Sequence, residues 1–317
     1  MLTRRRVIAA KVEAVEGTME AITLTDSGIL ATNVKFEPNF NQVDRNVMLN
    51  TLSNMAPVMG SRSVGISFSA ELKGAGAAYS ATIKPAVGVY FRGSGMLETM
   101  VLTAGSESAT YTPASTGVVS LTIWVYEDGL IKKAKGCRGS YKISGKTGDI
   151  VTADFTFTGV FDSVIDGTMI SPTFESTVPP VLLGSSLSLD AVTTMVADSF
   201  SIDLGNQVQL RSSFGSADGY MSALITGRKP TGTLDPETTL VATYDFIGKW
   251  KSGNQAALVI GPVTAPTGLY NKFTITAPKC VYTKVGESDR NGIMVSDLAY
   301  SLVMNTGDDE LSIAFIK

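Results

Sequence analysis

No histidine occurs in the 317 residues. That absence removes the commonest general base and metal ligand at neutral pH, and with it Ser-His-Asp and Cys-His catalysis. Cysteine is almost as scarce. Cys137 and Cys280 stand alone with no C-x-x-C spacing, which argues against a disulfide framework or a zinc site and for buried packing residues. Charged residues make up only 17% of the chain, where about 25% is usual. The net charge of −3 sets up no field that would draw in nucleic acid. The one dense cationic run, Arg4-Arg5-Arg6, reads as a solvated terminal turn. No apolar stretch approaches the roughly 20 residues needed to span a bilayer, and the "VIAA" after Arg6 is too short for a signal-peptide core. The chain is therefore expected to fold in the cytosol where it is made.

Catalytic and ligand-binding motifs are missing too. "GSYKISGKT" (139–147) puts five residues between Gly139 and Gly145, not the four a phosphate loop needs; a hairpin turn accounts for it better. "RGSGM" (92–96) lacks the third glycine of a dinucleotide fingerprint. "GDDEL" (307–311) lacks the alternating ligands of a calcium loop and reads as a charged turn before a last strand. No cofactor, metal or catalytic residue is expected.

What fills the chain instead is Gly, Ser, Thr and Ala around an apolar fraction of 44%. This is the composition of a strand-and-turn protein with real cores and much surface buried against other copies. "IVTADFTFTGVF" (150–161) alternates Val151, Ala153, Phe155 and Phe157 with Thr152, Asp154, Thr156 and Thr158, the two-residue period of a half-buried strand. "LTIWVYEDGLIKKAK" predicts a strand, an Asp128-Gly129 turn and a return strand. Two stretches read as helices: "KPAVGVYFRG", with proline in its first turn, and "DPETTLVATYDFIGKW". In the second, Asp235 is the expected cap, Pro236 the first helical position, and Leu240, Tyr244 and Ile247 the buried stripe.

The chain also repeats itself. "FNQVDRN" (40–46) and "GNQVQLRS" (205–212) share Asn-Gln-Val at an offset of 165. Beyond it, Arg45 and Arg62 match Arg211 and Arg228, Met55 matches Met221, and Ser67-Phe68 correspond to Thr233-Leu234, all at 166. "CRGSYKISGKTGDIVTADF" (137–155) lies on "CVYTKVGESDRNGIMVSDL" (280–298) at 143, matching Cys137 to Cys280, Ile150 to Ile293 and Asp154 to Asp297. The first copy thus holds 23 more residues between its second arginine and its cysteine, and "KGAGAAYSATIKPAVG" reads as the inserted loop and helix. Matches in the same order at nearly constant offsets favour a tandem duplication. The fold class expected is all-β: two tandem β-sandwich or partial-barrel domains with one short helix each, 1–175 and 176–317, divided near "STVPPVLLGSS" (176–186).

The chain resembles the tail tube (major tail) proteins of long-tailed bacteriophages in their two-domain form. The opening "AKVEAVEGT", the central "SATYTPAS…VSLTIWVYEDGLIKKAKGCRGSYKISGKTGDIVTADFTFTGVF", and the later "LGNQVQLR", "ITGRKPTGTLDPE" and "GDDELSIAF" carry that resemblance. It implies β-sandwich domains assembled into rings that stack into the conduit for DNA ejection. Two fused copies would make the ring a homotrimer with pseudo-sixfold symmetry. It further implies the tape measure protein and tail completion or terminator proteins as partners, a place in the virion tail after assembly in the host cytoplasm, and a non-contractile tail. DNA would pass through the lumen without specific binding, and no membrane is involved.

On this reading the uncharged "NVMLNTLSNMAPVMGS" (46–61) is a ring-stacking loop with Met48, Leu49, Met55 and Met59, based on Arg45 and Arg62. "SSFGSADGYMSALITG" (212–227) is its counterpart with Phe214, Tyr220 and Met221, between Arg211 and Arg228. The alternative is that these apolar residues fill each copy's own core. Asp154 and Asp297, on the polar faces of matched strands, face either the lumen or a solvated outside. A fibre, decoration protein or adhesin is the rival structural role, and a carbohydrate-active enzyme would need a carboxylate pair in a groove.

Overall fold

A computed structural model describes all residues except Met1, Thr3, Ser27, Thr173 and 266–268. Its described elements are strands and short helices. The first half runs β1 (Arg6–Val12), β2 (Ala31–Val43), β3 (Val58–Glu71), α1 (Gly88–Gly93), β4 (Met96–Val101), β5 (Ser108–Pro113), β6 (Leu121–Glu127), β7 (Leu130–Lys146) and β8 (Thr152–Asp166). The second runs β9 (Leu187–Leu189), β10 (Ala197–Asp203), β11 (Asn206–Ser212), β12 (Tyr220–Arg228), β13 (Thr231–Pro236), α2 (Phe246–Ser252), β14 (Ala256–Thr264), β15 (Lys272–Arg290), β16 (Ile293–Leu302) and β17 (Ser312–Ile316). Among the described residues no helix is long and apolar enough to cross a membrane.

Antiparallel pairing orders the first half β1-β6-β7-β8-β3-β2 and the second β9-β14-β15-β16-β13-β10. The two series have the same connectivity, and a β7–β10 pairing joins them into one sheet. Register repeats as well. Phe68 faces Phe155 in β3–β8, and Leu234 faces Leu298 in β13–β16; these positions are related by 166 and 143. Ala31 faces Ala70 and Lys35 faces Ser67, as Ala197 faces Pro236 and Ser201 faces Thr233, with a bulge between in both cases. Phe40 pairs with Arg62 and Asn206 with Arg228, so 166 holds here too. The shared Asn-Gln-Val, at 165, sits one residue out of step.

Alternation makes β8 a wall of the core: Val151, Ala153, Phe155 and Phe157 are buried, while Asp154 and Thr156 are exposed. Phe68 stacks on Phe155 with centroids 5.2 Å apart, Tyr90 of α1 meets Phe68 edge-on at 4.8 Å, and Phe91 meets Tyr141 at 4.8 Å. Each such ring contributes about 2–3 kcal/mol by burial. Helix α1 comes this close because glycine begins and ends it. A Cβ on Gly88 would lie 2.1 Å from the Tyr111 hydroxyl, and one on Gly93 2.3 Å from Leu121. Cys137 and Cys280 are buried, and burial pushes the Cys280 thiol up to about 12. One core cluster spans both halves. β17 helps to join them, pairing with β15 on one side and β5 on the other.

Three expectations need correction. Asp235 and Pro236 do not open a helix; they end β13, where Asp235 Oδ1 accepts the Asp198 and Ser199 N–H groups at 3.0 and 2.6 Å. A residue before proline is held extended, and β10 supplies the donors that a helix terminus would have supplied. Helix α2 begins only at Phe246, with Asp245 as N-cap, and leaves Leu240 and Ile247 exposed; of the expected stripe only Tyr244 is buried. Helix α1 starts at Gly88, with Pro85 in the turn before it. The extra length of the first half is chiefly the β4–β5 hairpin after α1, which extends the sheet from β17, rather than the loop before it.

Candidate assembly surfaces

The face of the joined sheet opposite the aromatic core is a field of small polar side chains. One cross-strand row reads Ser69, Asp154, Lys142, Asp203, Thr231, Ser301. The next reads Glu71, Thr152, Ser144, Ser201, Thr233, Ala299, Lys284. Opposed residues in a ladder share a face and alternate residues return to it, so Asp154 and Asp297 lie on the same exposed face. Lys142 stands between Asp154 and Asp203, whereas Asp297 is opposite Gly286 and accepts the Ser288 hydroxyl at 3.0 Å. Charges on this face are of both signs: Asp154, Asp203 and Glu71 stand with Lys142 and Lys284 in these two rows, separated by Ser, Thr and Ala.

The second surface is the tip of the β2–β3 hairpin, 44–57. Strand β2 leaves the core after Phe36, and every residue from Glu37 to Asn54 is exposed. Met48 and Leu52 are as accessible as in an extended chain, Leu49 and Met59 are about half exposed, and Met55 is partly covered. Arg45 is exposed within the tip. Arg62 lies in β3, its N–H donating to the Asp218 carbonyl at 2.9 Å and its guanidinium 3.8 Å from the Asp218 carboxylate. These apolar residues project from the protein instead of filling its core.

The matched segment of the second half is arranged differently. β11 and β12 form a separate two-stranded hairpin with a short turn, folded against the first half. The Ser61 hydroxyl donates to the Tyr220 hydroxyl at 3.1 Å, and Lys135 pairs with Asp218 at 3.3 Å. Asn206 Nδ2 donates to the Ser94 and Gly139 carbonyls at 2.6 and 2.9 Å. Buried Arg138 donates to the Ala223 and Val118 carbonyls at 2.5 and 3.0 Å and pairs with Glu16 at 3.3 Å. Glu16 also takes the Ser222 hydroxyl. The Arg138 guanidinium, with help from Ser222, holds the Glu16 carboxyl below its usual range against the opposing effect of burial. Phe214 is fully exposed at the turn, Arg211 is exposed, and Met221 is partly exposed. Arg228 is bound to Glu310 at 2.5 Å and Asp308 at 3.0 Å. Asp308 in turn accepts the Ser115 hydroxyl and N–H at 2.6 and 2.9 Å, contacts that lower its pKa.

The alternation of β8 is legible in the sequence, whereas the anchors that hold the second hairpin are not. Glu13 is buried, accepting from the Ser120 hydroxyl at 2.6 Å, the Gly136 N–H at 2.7 Å and the Gly17 N–H at 2.8 Å. Nothing local to "AKVEAVEGT" distinguishes such a carboxylate from a solvated one. Comparison with curated proteins finds no match. A family model described as phage tail tube protein covers residues 3–300. With that match spanning most of a mostly β chain, the protein belongs to the phage tail tube protein family and is a structural component of the viral tail.

Proposed function

We propose that three copies close into a ring and that the rings stack into the tail tube, the conduit for DNA ejection, each chain serving as two ring units. The family is structural and its role is self-assembly into a tube. The finer reading rests on the repeated strand order, with ladder registers related by 166 and 143. That repetition supports a tandem duplication into domains 1–175 and 176–317, and hence a trimer with pseudo-sixfold symmetry. A ring needs a head-to-tail interface that closes after a fixed number of copies, and fused repeats halve the number of chains required.

In this assembly the polar face with Asp154 and Asp297 lines the lumen. An acidic excess (Asp154, Asp203, Asp297 and Glu71 against Lys142 and Lys284), with Ser and Thr between, suits a wall past which DNA slides without specific contacts. The exposed tip 44–57 docks on the next ring, burying Met48, Leu49 and Leu52. The second hairpin, held by its own chain, offers only its Phe214 turn. Tape measure and terminator proteins would cap the stack, and assembly would take place in the host cytoplasm before the tube joins a non-contractile tail.

Electron microscopy of the purified protein tests this reading. Tubes of uniform width are expected from the intact chain, whereas fibres or isolated monomers would favour a fibre, decoration or adhesin role instead. Deleting 48–58 should leave folded protein that no longer forms tubes; normal tubes from the deletion variant would remove the stacking role from this arm.

A further inference from the structure

The β7–β10 pairing inside the chain serves as a template for the contact between chains. We propose that the ring closes by antiparallel pairing of the open edge of β2 in one copy with the open edge of β15 in the next, with Lys35 opposite Ser288. This inference rests on the ring reading above and adds the edge, the partner and the register.

Both edges are free among the described residues. β2 ends the sheet, and β15 from Lys284 to Arg290 is paired only with β16. They occupy the positions in the repeat that β10 and β7 occupy at the internal junction. β10 maps on β2 by 166, since Ser201–Thr233 falls on Lys35–Ser67. β8 maps on β16 by 143, but a bulge between Tyr282 and Lys284 adds one residue to β15. Lys142–Asp154 therefore falls on Gly286–Asp297. Internally, Phe200 faces Gly145, Ser201 faces Ser144, Ile202 faces Ile143 and Asp203 faces Lys142. Carried across, Val34 faces Asp289, Lys35 faces Ser288, Phe36 faces Glu287 and Glu37 faces Gly286.

Three observations agree with this register. First, face parity holds. Lys35 and Glu37 are exposed while Val34 and Phe36 are buried, and Ser288 and Gly286 share the face of Asp297. Ignoring the bulge would set Lys35 against Glu287 on opposite faces, which a two-residue period forbids. Second, backbone polarity agrees. The Leu204 N–H donates to the Tyr141 carbonyl at 3.0 Å and the Thr147 N–H to the Asp198 carbonyl at 2.8 Å, so even-numbered residues of β10 direct their hydrogen bonds to β7. Their counterpart Val34 turns its carbonyl away from β3, where Arg6 Nη1 reaches it at 2.8 Å and leaves its second lone pair for a partner strand, whereas Pro38, in the place of Leu204, has no N–H and forgoes that one bond of the ladder. Third, charge is complementary. Glu287 and Asp289 are exposed on the β15 edge. They would lie opposite Phe36 and Val34, beside which stand Lys132, with Nζ 6.0 Å from the Phe36 ring centroid, and Arg6; these two cations share the one carboxylate of Glu127, at 2.6 and 3.1 Å, and so bring a net positive charge to the contact.

Lys35 and Ser288 correspond to Ser201 and Ser144, a non-hydrogen-bonded pair, for which Cα atoms lie about 4.5 Å apart and a disulfide can form. The test oxidises assembled tubes of the full chain carrying Lys35→Cys and Ser288→Cys, with Lys35→Cys and Glu287→Cys as the out-of-register control. All three sites are exposed, and the native thiols are buried and slow to react. The first variant should give a reducible ladder that ends at the trimer on a denaturing gel, and the control should remain monomeric. Tubes without that ladder, or equal cross-linking in the control, would overturn the register and leave the tube reading standing. Failure of the unmodified chain to form rings or tubes would overturn both.

Discussion

Glu16 carries an electrostatic role far from any surface charge pattern. Its carboxylate joins Arg138, from the first half's sheet, to Ser222 of the second half's hairpin. Because its folded pKa is lowered, chiefly by the Arg138 hydrogen bond, the stabilisation is present above the ordinary value of 4.5 and is lost as pH falls through the folded value. Acidification below 4.5 should therefore lower the hydrogen-exchange protection (the rate relative to an unstructured chain at the same pH) at 220–224 ahead of the core strands, a response that linkage ties to this carboxylate. Glu16→Gln should flatten that pH response, and an unchanged profile in the variant would place its origin elsewhere.

At the scale of elements, α2 depends on its ends. The Asp245 carboxylate accepts the Gly248 N–H at 2.7 Å, and Gly253 closes the helix at φ 65°, the left-handed turn that glycine adopts most readily. Asp245→Ala should cost about 1 kcal/mol and lower the melting temperature by about 2 °C. A melting curve superimposable on the parent's would deny the cap its role. The start expected from the sequence, Asp235-Pro236, lies ten residues before the observed cap. A helix start and the end of a strand beside a bulge can carry the same letters. β8 was legible because one buried face writes its period directly into the sequence. So was the β6–β7 hairpin, whose Asp128-Gly129 turn has positive φ at both residues. The packing of β11–β12 was not legible, because Glu16, Lys135 and Arg138 reach it from distant parts of the chain. The same local pattern that left 44–57 projecting was compatible with a hairpin pinned to a neighbour.

For the whole molecule, the joined sheet makes the polar face continuous across the two halves, so the charge of that face is set by rows rather than by single residues. In the proposed tube, Asp154→Lys would put a second lysine beside Lys142, and Asp297→Lys would add a cation where only glycine stands opposite. The double variant should slow DNA ejection from reconstituted particles, with the larger effect at low salt. Unchanged ejection kinetics would place this face outside the lumen.

β17 has a consequence in time. It is made after every other described strand, yet Phe315 lies against Phe91 and Tyr111 of the first half at 6.5 and 5.9 Å and against Phe273 of the second at 6.2 Å. Until it is synthesised, β5 has no partner but β4, and the shared core lacks the ring that joins its two parts. A nascent chain can thus form its first hairpins on the ribosome, but the β5 and β15 edges are joined only once translation has passed β17, so the two halves close their shared core after both have been made.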